Sequence, residues 1–128
     1  MNKKNKFKIA RHLKQENDDG NIEYKYKLNP ECSPELASQM LYRLYQGEGK
    51  AIYNIGYLNN GCPMGLTYNI LLKNLNQLFQ LTTELDAVTK SVKIFKAQHG
   101  YCANVFITKK QINTDLLPYE INNLDCVS

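Results

Sequence analysis

The chain has 128 residues, a single domain's worth, with 43% apolar and 22% charged residues and a net charge of +4. No apolar run approaches the ~20 residues that span a bilayer, and no apolar core or small-residue cleavage site follows the basic N-terminus, so neither a membrane span nor a secretory signal is read. Cys32, Cys62, Cys102 and Cys126 lie 24 to 40 residues apart, which gives no CxxC zinc pair and no dense disulfide framework and points to reduced thiols in a cytoplasmic protein.

The charge is unevenly placed. Lys3, Lys4, Lys6, Lys8, Arg11 and Lys14 give residues 1–14 a charge of +6 with no acid, while the rest of the chain carries −2. His12 adds to this cationic surface. A short basic arm of this kind binds phosphate backbones by releasing counterions, with little sequence preference; the plainer reading is a solvated terminus. Glu16–Asn21 reads as a polar hinge, so residues 1–20 are taken together as arm and hinge.

From residue 22 the pattern changes. Ile22, Tyr24, Tyr26 and Leu28 alternate with Glu23, Lys25 and Lys27, the period of a half-buried strand. The aromatics are expected inside, and the lysines on an open sheet face. Ser33-Pro34-Glu35 is a helix start, with a hydroxyl cap, proline at the first helical position and an acid in the first turn. Leu36, Met40 and Leu44 beside Ala37, Leu41 and Tyr45 form its apolar face, and Gly47 ends it. Lys50–Leu58 reads as a central strand. Thr67 caps a second helix with a stripe of Leu71, Leu72, Leu75, Leu78 and Phe79. Lys90–Ala97 and Tyr101–Lys109 read as a hairpin around Gly100. The order β-α-β-α-β-β predicts an α+β domain over residues 21–110, a two-layer sandwich of four mostly antiparallel strands with both helices on one face. Residues 111–128 form a glycine-free extension in which "DLLPYEINNL" is apolar enough to dock.

Residues Gly47–Leu66 hold five of the seven glycines. Gly56 and Gly61 have the glycine spacing of a P-loop, but Cys62 and Pro63 stand where Lys and Ser/Thr are needed, and proline has no N–H for a phosphate. The G-x-G-x-x-G dinucleotide pattern is missing too. His99 beside Cys102 could form a thiol-imidazole pair across the hairpin turn, but no orienting carboxylate or oxyanion hole accompanies it. No catalytic, cofactor or metal residues are assigned, and no small-molecule substrate. The sheet face could instead present Lys25, Lys27 and Lys93 to RNA among aromatic neighbours, although the RNP1 pattern is absent.

"IEYKYKLN" followed by "MLYRLYQGEGKAIYNIGYLNNGCPMGLT" resembles the N-terminal domain of the GTP-binding protein 1 and 2 family, translational GTPases related to elongation factor 1-alpha. The resemblance runs through Arg43-Leu44, Gly47, Gly49, Ala51, Tyr53, Gly56, Asn60-Gly61 and Gly65-Leu66, and "VKIFKAQHGYCANVFITKK" looks like the family's closing hairpin. In that family the hairpin leads into a G domain, whereas Lys109-Lys110 here leads into a segment without GTPase motifs, so GTP hydrolysis does not carry over. Two explanations follow: a fragment of such a GTPase, or a complete small protein. Met1 and the unlike final eighteen residues favour the second. The expectation is a non-catalytic, cytoplasmic, ribosome-associated protein contacting rRNA and ribosomal proteins through Lys3, Lys4, Lys6, Lys8, Arg11, His12, Lys14, Lys25 and Lys27. A dormancy (hibernation) or dimerisation role, with self-association, would suit it.

Overall fold

Residues 7–110 are described by the structure, a computed structural model of the chain. In chain order they form β1 (Lys8–Ile9), β2 (Ile22–Lys25), a 3-10 turn at Pro30–Cys32, α1 (Ser33–Gln46), β3 (Lys50–Ile55), α2 (Tyr68–Glu84), β4 (Ala87–Ala97) and β5 (Gly100–Lys109). The helices begin where the cap signals place them. The Thr67 hydroxyl accepts the Ile70 N–H at the start of α2, at 3.4 Å. Helix α1 stops at Gln46, and the chain then turns through left-handed Glu48 and Gly49, at φ 54° and 95°.

The strands form one five-stranded mixed sheet in the order β1-β4-β5-β3-β2. Pairs β4/β5 and β3/β5 are antiparallel, while β2/β3 and β1/β4 are parallel. This corrects the expected four-stranded, mostly antiparallel sheet. Two causes account for the difference. Helix α1 carries the chain back so that β2 and β3 run the same way. The outer edge of β4 is occupied by part of the basic arm, whose Ala10 N–H donates to the Lys96 carbonyl at 2.8 Å.

Strand alternation sorts the side chains onto two faces. Ala51, Tyr53 and Ile55 of β3 and Ala103, Val105 and Ile107 of β5 meet Leu36, Met40 and Leu44 of α1 and Leu71, Leu75, Leu78 and Leu81 of α2 in the main core. Each fully buried aliphatic side chain there contributes roughly 1.5–3 kcal/mol. Buried Asn74 ties α2 to the incoming chain: its Oδ1 accepts the Leu28 N–H, and its Nδ2 donates to the Ile70 carbonyl at 2.8 Å. Across the other face run two registered rows, Ile22–Ile52–Phe106–Ser91 and Tyr24–Asn54–Asn104–Lys93. One end of this face is covered by a second, smaller core, in which Ala10 and Leu13 of the arm pack on Tyr24, Tyr57, Ala97 and Cys102.

The period-two reading of β2 holds, but its faces are exchanged. Lys25 registers with core residue Ile55, and Glu23 reaches Arg43 of α1, so these two lie on the helix-bearing side. Tyr24 lies on the other face and is buried beneath the arm. Tyr26 is exposed, not inside.

Candidate nucleic-acid interface

Residues 7–16 are an ordered strap laid across the sheet. The Phe7 ring meets Tyr101 edge-on at 5.6 Å, and Tyr101 in turn packs edge-on against Tyr68 at 5.2 Å. Beyond β1, Leu13 N–H donates to the Gly61 carbonyl at 2.9 Å and Glu16 N–H to the Asn59 carbonyl at 2.7 Å. The Tyr24 hydroxyl donates to the Lys14 carbonyl, and the Tyr24 N–H to the Glu16 carboxylate, both at 2.7 Å.

Gly61 makes this docking possible. A Cβ there would sit 2.0 Å from the Leu13 carbonyl oxygen, and its φ of +93° is open only to glycine at low cost. The glycine loop therefore receives the arm's backbone where a nucleotide loop would receive phosphates. Four of its amides are already used internally: Gly61 N–H donates to Leu58 O, Cys62 N–H to Asn60 Oδ1, Met64 N–H to Cys62 O and Gly65 N–H to Gly56 O. Those four amides are not free to form a nest for an anion.

The far end of the strap is clasped by Arg43. Its guanidinium is 4% exposed. Nε donates to Glu23 Oε1 at 2.8 Å, Nη1 to the carbonyls of Asp18, Asp19 and Gly20 at 3.3, 3.1 and 2.9 Å, and Nη2 to Asn17 O at 3.0 Å, with Glu16 Oε2 3.6 Å away. A planar five-donor head suits this work in a way a lysine could not. The polar segment expected as a hinge is thus a closed arch on α1. Burial pushes the Glu16 carboxyl up, partly offset by the Tyr24 N–H bond, with neighbouring Glu23 pushing the same way and Arg43 opposing it.

The strap fixes where its basic side chains sit. Lys8, Arg11, His12 and Lys14 are all exposed, and none has an acidic partner among the described residues. Lys27 is exposed just past β2, while Lys25 is half-buried and 3.7 Å from Glu23 Oε2, away from the strap's face. Lys93 is exposed on the strap's face. Lys3, Lys4 and Lys6 lie outside the described residues, as does the 111–128 extension.

Between strap and sheet lies a cleft of about 530 Å³. Lys8, Ile9, Arg11 and Leu13 form its strap side; Tyr57, Phe95, Asn54 and Asn104 form its sheet side. Asn104 Nδ2 donates to Asn54 Oδ1 at 2.8 Å. Tyr57 is 3% exposed, and burial pushes its hydroxyl up to about 12, so it stays a neutral donor. No pattern in the sequence singles out these four sheet residues. Asn54 and Asn104 lie 50 positions apart, and only the β3/β5 register joins them.

The thiol-imidazole pair is not assembled for catalysis. Cys102 is wholly buried, its Sγ donating to the Gly56 carbonyl at 3.4 Å, and burial pushes the thiol up to about 11. His99 is exposed in the hairpin turn. Among the described residues, no cluster of three or more His, Cys, Asp or Glu side chains could hold a metal ion, and no helix is long and apolar enough to cross a membrane.

Two relatives named GTP-binding protein 2, from Mus musculus and Homo sapiens, are each 39% identical to this chain over 79 residues. The match covers 59% of this chain and 13% of each relative, and it supports a relationship to the GTP-binding protein family. Uncharacterized protein R625 of Acanthamoeba polyphaga mimivirus is 29% identical over 106 residues, covering 79% of this chain and 56% of that one. No protein-family profile matches the chain, and no solved structure matches it.

Proposed function

We propose that this chain is a docking module for ribosomal RNA, related to the N-terminal domain of GTP-binding protein 2 and binding through the strap and the sheet face beside it. The observation that carries this reading is the strap itself. It holds Lys8, Arg11, His12 and Lys14 exposed, at fixed positions and free of acidic partners among the described residues. Surface cations that stay unneutralised while their backbone is pinned by hydrogen bonds are pre-organised for a polyanion. Lys3, Lys4 and Lys6 extend the same charge toward the N-terminus. Such a module would work in the cytoplasm without chemistry of its own. A docking contact of this kind, held by charge and with no chemistry at the site, would suit a dormancy or ribosome-dimerising role.

The extent of the similarity favours a second reading, in which the chain is the equivalent of a regulatory segment of a GTP-binding protein. A reading frame that continues past Ser128 into G-x-x-x-x-G-K-[ST] would establish it.

Co-sedimentation with purified ribosomes across a salt series tests the first reading. Six arm cations on phosphates predict a log–log slope of roughly −4 to −5, reduced in proportion when Lys8, Arg11 and Lys14 are changed to alanine together. No co-sedimentation at low salt would overturn it.

A further inference from the structure

The cleft under the strap has three features that phosphate-backbone docking does not require. First, its floor holds hydrogen-bonding groups that the described residues leave unused. The Asn54–Asn104 bond consumes one carboxamide N–H and one carboxamide oxygen, leaving Asn54 Nδ2 and Asn104 Oδ1 without partners among the described residues. Whichever way the two amides are turned, one NH₂ and one C=O remain free side by side. Asn54 is 4% exposed and Asn104 half-buried, and the hydroxyl of Tyr57 also has no hydrogen-bond partner among the described residues; none of these polar atoms is sealed from solvent, so they remain available to a molecule in the cleft.

Second, Phe95 lines the same cleft and is only half-buried, so part of an aromatic surface stays available beside the unpaired amides. Third, the rim is cationic. Lys8 registers with Phe95 across β1/β4, and Arg11 follows on the strap. No carboxylate is among the lining residues. Aromatic surface, a donor beside an acceptor, and cations at the rim correspond to the base, the base edge and the phosphate of a nucleotide. The volume of about 530 Å³ lies within the roughly 300–1,000 Å³ of ordinary small-ligand sites.

We infer that this cleft binds one unpaired nucleotide, its base against Phe95, its edge on Asn54 and Asn104, and its phosphate at Lys8 and Arg11. Taken as part of an RNA chain, this rests on the docking function proposed above and makes it specific: the module would seek a single-stranded nucleotide and not a duplex surface. The same chemistry would also accept a free nucleoside monophosphate.

The test is a titration of the ¹⁵N-labelled full chain followed by NMR. The probes are a single-stranded hexanucleotide, a duplex RNA of equal length, adenosine and cytidine monophosphates, and inorganic phosphate. The single strand should perturb Asn54, Phe95 and Asn104 and bind more tightly than the duplex. Phe95→Leu should weaken it roughly tenfold, and Asn104→Ala, which keeps the strap and the aromatic, should weaken it as well. Perturbation of these residues by monophosphates but not by the oligonucleotide would identify the source as a free nucleotide. Inorganic phosphate should shift only Lys8 and Arg11. Equal binding of single strand and duplex, with Phe95→Leu and Asn104→Ala both neutral, would overturn the nucleotide site. If salt-sensitive ribosome binding persisted in that case, the docking function would stand without it.

Discussion

Replacing Gly61 with alanine isolates the contact that seats the strap. Two costs arise. At φ +93° an L-residue is strained by roughly 1–2 kcal/mol. In addition the new Cβ would lie 2.0 Å from Leu13 O, 2.6 Å from Leu13 C and 2.8 Å from Lys14 O, all backbone atoms that cannot swing aside as a side chain can. The strap must lift, losing the bonds of Leu13 N–H to Gly61 O, Ala10 N–H to Lys96 O and Glu16 N–H to Asn59 O. Each contributes about 0.5–1.5 kcal/mol net, so Gly61→Ala should cost about 3–6 kcal/mol in all. Gly20 supplies the control, because its φ is +90° and a Cβ there meets nothing within 4 Å. Gly20→Ala should therefore carry the strain alone, roughly 1–2 kcal/mol. Urea unfolding measures both values, and amide exchange locates the effect. Ala10, Leu13 and Glu16 should lose protection in Gly61→Ala while β5 keeps it. Equal destabilisation by the two variants, with the strap amides still protected, would mean that Gly61 does not seat the strap.

Arg43→Met should destabilise by about 3–5 kcal/mol, because it strands buried Glu23 and the carbonyls of residues 17–20. Adding Glu23→Gln should recover at least about 1 kcal/mol of that; strict additivity in urea melts would mean that the clasp is not a coupled unit. Cys102 gives a pH signature. Its folded thiol is raised to about 11 by burial, above the ~8.5 of a free thiol, so its contribution to stability is complete below that value and is lost as pH rises through about 11. Between pH 9 and 11 the melting temperature should fall more steeply for the native chain than for Cys102→Ala, and parallel curves would contradict this. The buried thiol should also resist alkylation at pH 7 until the chain unfolds, and fast labelling in the folded state would revive a nucleophilic role for it.

Much of this architecture is legible in the residues, and the failures have physical causes. Strong caps and i, i+4 rows mark α1 and α2, and the tight turn at Gly100 marks the final hairpin. The two-residue β1 has no such signature. Phe7, Ala10 and Leu13 anchor the strap, but they are interleaved with cations, and their partners lie on Tyr101, Lys96 and Gly61, far along the chain. In β2 polarity misleads about the faces because both are covered. Arg43 neutralises Glu23 on the helix side, and the strap buries Tyr24 on the other. The arm's exposed cations could be read directly, since exposure is what charge favours. The cleft could not, since its carboxamides meet only through strand register. The glycine run was informative for a reason unrelated to phosphate, namely the close approach of one backbone to another at Gly61.

On the proposed function, the strap and the sheet face beside it form the RNA-binding surface. Hydrogen-exchange footprinting of the full chain, free and bound to purified ribosomes, tests this most directly. Added protection should fall on residues 8–14 and on the open-face positions around Phe95 and Asn104, with the outer surfaces of α1 and α2 unchanged. Protection confined to the helices, with the strap exchanging as in the free chain, would contradict it.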